Sequence, residues 1–104
     1  MAGLSDLGRF SEPAMHVLIS LADGPKHGYA MQDDIGALTG TRPGPGTLYG
    51  AVRRLEEHGY IQALPEQDRR KPYRLTDAGR AALTAELRRI EHLAGTGLRR
   101  LAVA

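Results

Sequence analysis

Between residues 11 and 60 the apolar side chains recur at intervals of three and four, in three groups. Ala14, Val17, Leu18 and Leu21 form the first; Tyr29, Ala30 or Met31, Ile35 and Leu38 the second; Leu48, Ala51, Val52 and Leu55 the third. That period places each group on one side of an α-helix. Ser11 is a suitable cap for the first helix, with Pro13 in the first turn where its missing N–H costs nothing, and Asp23-Gly24-Pro25 ends it. A second helix is expected from about Lys26 or His27 to Leu38, with Tyr29 packing beneath its start, and it stops at Thr39-Gly40. Thr41-Arg42-Pro43-Gly44 is a turn, and the third helix begins near Pro45 or Gly46 and ends at Gly59, where the absent Cβ permits a left-handed stop.

Beyond Gly59 the pattern shortens. Tyr60-Ile61-Gln62-Ala63-Leu64 and Tyr73-Arg74-Leu75 read as strands, and Pro65 to Lys71 as their polar connection. Thr76 then caps a fourth helix, with Asp77 in its first turn. Along it Leu83, Leu87, Ile90 and Ala94 are spaced four, three and four apart, a coiled-coil seam. Gly95-Thr96-Gly97 is expected to break or bend this helix, leaving Leu98 and Leu101 in a last turn. A helix of about five turns outruns what a compact core of this size can cover. The seam is therefore expected to be buried against a second copy rather than folded back on the first helix. The expectation is a mainly α protein with a small β-hairpin. Its parts are an arm or short helix over 1–10 carrying Leu4, Leu7 and Phe10, a winged helix-turn-helix over 11–76, and a C-terminal dimerisation helix over 77–104.

Composition narrows the function. A chain of 104 residues is of single-domain size, and 41% hydrophobic with 25% charged is ordinary for a soluble protein. It has neither an apolar run able to cross a bilayer nor a signal-peptide core, so no membrane partner and a cytoplasmic location are expected. With no cysteine, and with His16, His27, His58 and His92 far apart, no metal or other cofactor is expected. The net charge of +2 is unevenly placed. Residues 1–60 hold five basic and seven acidic side chains, and residues 61–104 hold nine basic and five acidic, so positive charge collects from the hairpin onward.

The order helix, strand, basic loop, strand is the outline of a DNA-binding winged helix, in which one helix enters the major groove and the loop reaches the backbone. The third helix turns Thr47, Tyr49, Gly50 and Arg53, with Arg54 at the margin, away from its apolar stripe. Glycine costs roughly 1 kcal/mol in a helix interior relative to alanine, so Gly50 suggests a close approach by DNA. The competing reading is a solvated face on which Tyr49 packs against a neighbour and Arg53 pairs with Glu56 or Glu57. Arg69-Arg70-Lys71, three adjacent cations at the hairpin tip, suit phosphate contacts. Lys26 is a further candidate phosphate contact, while His27 is read as helix-starting. Lys26-His27-Gly28-Tyr29 has no carboxylate or nucleophile at a recognisable spacing, so no catalytic residue is assigned and an enzyme is not expected.

The sequence resembles the PadR family of bacterial transcriptional regulators. The resemblance rests on Asp-Gly-Pro-Lys-His-Gly-Tyr-Ala-Met at 23–31, Thr39-Gly40, Pro-Gly-Thr-Leu-Tyr at 45–49, Arg-Leu-Glu at 54–56 and Gly-Tyr-Ile at 59–61. It continues in Arg69-Arg70-Lys71 with Tyr73 and in Leu-Thr-Asp-Ala-Gly-Arg at 75–80. It implies a homodimeric transcriptional repressor that occupies a pseudo-palindromic promoter operator in double-stranded DNA, of the short subgroup with one C-terminal helix. Thr47, Tyr49 and Arg53 would lie on the reading helix, Arg69, Arg70 and Lys71 on the wing, and the dimer contact would fall on the last helix. The resemblance also implies an alternative, a module that senses a small hydrophobic or aromatic effector between subunits. The low aromatic content of 5%, without tryptophan, argues against a strong stacking pocket.

Overall fold

The computed structural model describes residues 11–103, so the expected arm carrying Leu4, Leu7 and Phe10 lies outside the described residues. The elements run α1 (Ser11–Leu21), β1 (Lys26–His27), α2 (Gly28–Thr39), α3 (Pro45–Glu57), β2 (Ile61–Ala63), β3 (Pro72–Leu75) and α4 (Asp77–Val103). The core is built where the apolar periods place it: Ala14, Val17, Leu18 and Leu21 from α1, Met31 and Ile35 from α2, Leu48, Ala51, Val52 and Leu55 from α3. Tyr60, Ile61, Tyr73 and Leu75 close it from the sheet.

The end of α3 fixes where the wing begins. Gly59 takes φ +74°, its N–H bonds to Glu56 O at 3.0 Å and the Tyr60 N–H to Leu55 O at 2.9 Å. This paired closure satisfies the last helical carbonyls and turns the chain into β2. Thr76 then ties the far end of the wing to the same point. Its Oγ1 donates to Gly59 O at 2.7 Å and accepts from Gly79 N–H at 3.1 Å as the cap of α4. Gly79 has to be glycine, because a Cβ there would stand 2.0 Å from Tyr60 O.

Four expectations are corrected. The second helix starts at Gly28, and Lys26-His27 forms a strand pairing antiparallel with β3 (Lys26 opposite Tyr73, His27 opposite Pro72), so the hairpin becomes a three-stranded sheet of order β1-β3-β2. Two residues are too few to reveal a period; only the partner strand makes them β. Secondly, Tyr29 and Leu38 are not core residues, at 59% and 57% exposure. The buried positions of α2 are Gly28, Met31, Gln32 and Ile35, and at 3.6 residues per turn Tyr29 stands about 200° around the helix from Met31, on the opposite side. Thirdly, Gly95-Thr96-Gly97 does not break the last helix, which is continuous to Val103. Both glycines keep helical backbone, Arg99 donates to Thr96 Oγ1 at 3.3 Å, and the intrinsic cost of about 1 kcal/mol per glycine is too small to undo a helix carried by leucine, arginine and alanine on either side. Fourthly, Leu83, assigned to the dimer seam, is only 5% exposed within its own chain, where it joins the core cluster.

Candidate nucleic-acid interface

The third helix buries Leu48, Ala51, Val52 and Leu55 and so must turn the residues between them outward. Thr47, Tyr49 and Arg53 are exposed, and Gly50 is half-buried. Among the described residues Arg53 pairs with neither Glu56 nor Glu57, so the ion-pair reading of that face does not hold. Tyr49 leans toward the start of α2: a Cβ on Gly28 would lie 2.0 Å from its hydroxyl oxygen. Gly28 thus lets the tyrosine ring lie across the start of α2, and the pair sets where the hydroxyl stands.

The wing tip is a two-residue turn. Gln67 and Arg70 exchange backbone hydrogen bonds of 2.8 Å in both directions, and the intervening Asp68 and Arg69 have φ of +50° and +66°. Two successive left-handed residues match the twist of the flanking strands. They also hold Arg69 at the apex, at a conformational cost of about 1 kcal/mol that a glycine would not incur. Arg70 turns back toward β1, with Nη1 3.1 Å from His27 Nε2, and Lys71 Nζ lies 5.8 Å from the centre of the Tyr73 ring. Burial is the main influence on Tyr73, raising its phenol above the ordinary value.

These side chains enclose a groove of about 310 Å³ lined by His27, Gly28, Tyr29, Tyr49, Arg69, Arg70, Lys71 and Tyr73, with no acidic residue among them. A second hollow, of about 390 Å³, continues from it past His27 and Arg70 to Gln67, Asp68 and Pro72. The sequence-assigned Tyr49, Arg69, Arg70 and Lys71 are therefore brought together along one cationic, aromatic channel. Thr47, Gly50 and Arg53 lie on the same helix as Tyr49 but do not line it.

Lys26 is placed elsewhere. Neighbouring strand residues point to opposite faces, and while His27 meets the wing, the Lys26 ammonium donates to Ser20 O at the end of α1 and to Asp23 Oδ1 at 2.5 Å. That ion pair holds the Asp23 carboxyl below its ordinary 3.8. The lysine ties α1 to the sheet and is withdrawn from the channel.

Three residues in or beside the candidate interface are not legible as such in the sequence: His27 reads only as the start of a helix, Tyr29 as a core residue and Arg42 as part of a turn. The Arg42 guanidinium lies 4.7 Å from the centre of the Tyr29 ring, donates to Gln32 Oε1 at 3.2 Å and pairs with Asp33, while Gln32 Nε2 donates to Pro43 O at 3.0 Å. Together they fix the turn that delivers α3. The only advance signal was an arginine nine residues after an aspartate, too common a spacing to single out.

Three helices, a three-stranded sheet and a cationic tip beside the exposed face of the third helix define a winged-helix domain of the transcriptional-regulator class. The chain belongs to the PadR-like family of transcriptional regulators, whose model matches residues 17–85. It is 40% identical over 83 residues to the transcriptional regulator Rv3488 of Mycobacterium tuberculosis, with 77% of each chain covered. It is also 45% identical over 87 residues to an uncharacterized 37.1 kDa protein in transposon TN4556 of Streptomyces fradiae; the match takes in 84% of this chain but only 25% of that relative's length. Among solved structures, a transcriptional regulator from Clostridium thermocellum superposes with a TM-score of 0.74 at 29% identity, covering 92% of this chain and 94% of that one. A PadR family transcription regulator from Clostridium difficile shares the fold, with a TM-score of 0.74 at 19% identity over 86% of this chain and 97% of that one. No helix among the described residues is long and apolar enough to cross a membrane.

Proposed function

We propose that the protein is a repressor that binds double-stranded promoter DNA as a homodimer, with α3 in the major groove and the wing on the adjacent backbone. The observation that carries this reading is the acid-free channel joining Tyr49 to Arg69, Arg70 and Lys71, beside the outward Arg53. A surface built to accept a row of phosphates needs cations in line and no carboxylate among them, and a helix offering an arginine next to that row can read base edges. The dimer is supported by α4, which is about 40 Å long at its 27 residues and leaves Leu87, Leu98 and Leu101 exposed by 39%, 69% and 75%. Leu87, Ile90, Ala94 and Leu101 share one stripe, and a stripe of this kind is self-complementary about a two-fold axis. Such a dimer spaces its two reading helices for half-sites about one helical turn apart.

The test separates helix from wing. In fluorescence-anisotropy titrations against DNA from upstream of the chain's own gene and against a scrambled duplex, Arg53→Ala should lose about 1–3 kcal/mol on the first and little on the second. Arg69→Ala should weaken both equally and lower the slope of log affinity against log salt by about one. Equal behaviour of wild type and both variants on both duplexes would refute the reading.

A further inference from the structure

His27 makes two contacts that one imidazole cannot satisfy together. Its Nδ1 faces the Ala30 N–H at 3.3 Å, capping α2, while its Nε2 lies 3.1 Å from Arg70 Nη1. The amide and the guanidinium are both donors, and a neutral ring has a single acceptor nitrogen. When Nδ1 accepts from Ala30, Nε2 carries the proton and sets an N–H against the guanidinium. When Nε2 accepts from Arg70, the same mismatch moves to Ala30. In either tautomer one pair of donors is left facing each other, and the natural remedy at the His27–Arg70 side is an acceptor that both can reach from one flank. The position favours an anion: His27 and Arg70 stand where the two hollows of the interface meet, flanked by Arg69, Lys71 and the Tyr49 hydroxyl, and the one carboxylate in the lining is Asp68 in the turn.

We infer that His27 and Arg70 jointly hold one backbone phosphate of bound DNA, its oxygen accepting from Nε2–H and from the guanidinium while Nδ1 keeps the cap. The inference rests on the DNA-binding reading and extends it to β1, a strand outside both the reading helix and the wing turn. It also exchanges the expected contact: of the adjacent pair, the histidine faces the phosphate and Lys26, bound to Ser20 O and Asp23, does not. A polymer of phosphates is favoured over a lone anion because the cations continue from Arg70 to Arg69 and Lys71 along the channel.

The cap and the phosphate contact can be separated by substitution. Serine caps a helix as well as any residue but is too short to reach the Arg70 side, so His27→Ser should keep the thermal midpoint, with His27→Asn as a second cap-preserving variant. On a mixed-sequence duplex of about 30 base pairs at low salt, His27→Ser and Arg70→Ala should each weaken binding about five- to tenfold, and the double variant should lose no more than the weaker-binding single one. Losses that multiply, or wild-type affinity in both His27 variants while Arg70→Ala still binds more weakly, would overturn the shared contact and leave the DNA-binding reading standing. A wild-type protein that binds no duplex would overturn both. A shift of the His27 ring ¹⁵N resonance with inorganic phosphate, without any effect of His27→Ser on duplex affinity, would assign the site to a free anion instead of the DNA backbone.

Discussion

At the scale of single residues, Gly28 and Tyr49 show how a contact twenty-one positions apart governs the interface. A methyl group on Gly28 would collide with the Tyr49 hydroxyl at 2.0 Å, and because that tyrosine is 47% exposed it can swing away rather than disrupt the core. Gly28→Ala is therefore expected to cost under about 1–3 kcal/mol in chemical unfolding and to lower DNA affinity more than Tyr49→Phe does. A second residue-scale prediction concerns Lys26 and Asp23. The ammonium lowers the Asp23 pKa, so the pair's contribution is present above the ordinary carboxylate value of 3.8 and is lost as pH falls through the lowered one. An NMR titration of Lys26→Met should return the Asp23 carboxyl to its ordinary value, and DNA affinity should be unaffected. Chemical character was legible at this scale, since charge, aromaticity and the glycine stop at 59 are properties of the letters. Direction was not: Lys26 and His27 are adjacent polar side chains, and only pairing with β3 sends one to α1 and the other to the wing.

Among the elements, the helices were legible wherever one face is buried by the chain itself. The stripes of α1 and α3 are found in the core as their periods imply, and the wing occupies the interval between two strands that were read from five and three residues. Failures came where the deciding interaction is non-local or weak. The two residues of β1 carry no period, and Gly95 and Gly97 lie in a helix that their local preference opposes by less than their neighbours favour it. The junction of wing and α4 gives a prediction at this scale. Because Gly79 admits Tyr60 O where a Cβ would stand 2.0 Å away, and the obstacle is backbone, Gly79→Ala must displace the start of α4 from the base of the wing. A loss of roughly 2–3 kcal/mol in a denaturant titration is expected, well beyond the gain of about 1 kcal/mol that alanine brings to an exposed helical site.

For the whole molecule, the extent of 55 Å against 31 and 24 Å reflects α4 running past the core. Leu83 anchors the near part of the stripe and Leu87, Ile90 and Leu101 are left beyond it. Leu87→Glu would put a charge in the proposed seam while leaving the folded chain intact, since the residue is 39% exposed in the single copy. Light scattering should then give a lighter species with unchanged circular dichroism, and affinity for a two-half-site duplex should fall toward that for one half-site. A seam that keeps its mass with glutamate at position 87 would place the dimer contact on another surface.

The unbroken run of α4 makes it a caliper. Both jaws of the proposed dimer, the two reading helices, would be referenced to it, because Thr76 and Gly79 lock its first turn to the root of the wing and its far half would lie in the proposed seam. A helix advances about 1.5 Å and turns about 100° per residue. One residue inserted between Gly79 and Leu87 would thus barely change the gap but would rotate the jaws off a common face of the duplex, whereas seven would restore nearly the original facing and widen the opening. The phase of this helix, more than its length, would set which half-site spacings the protein can span.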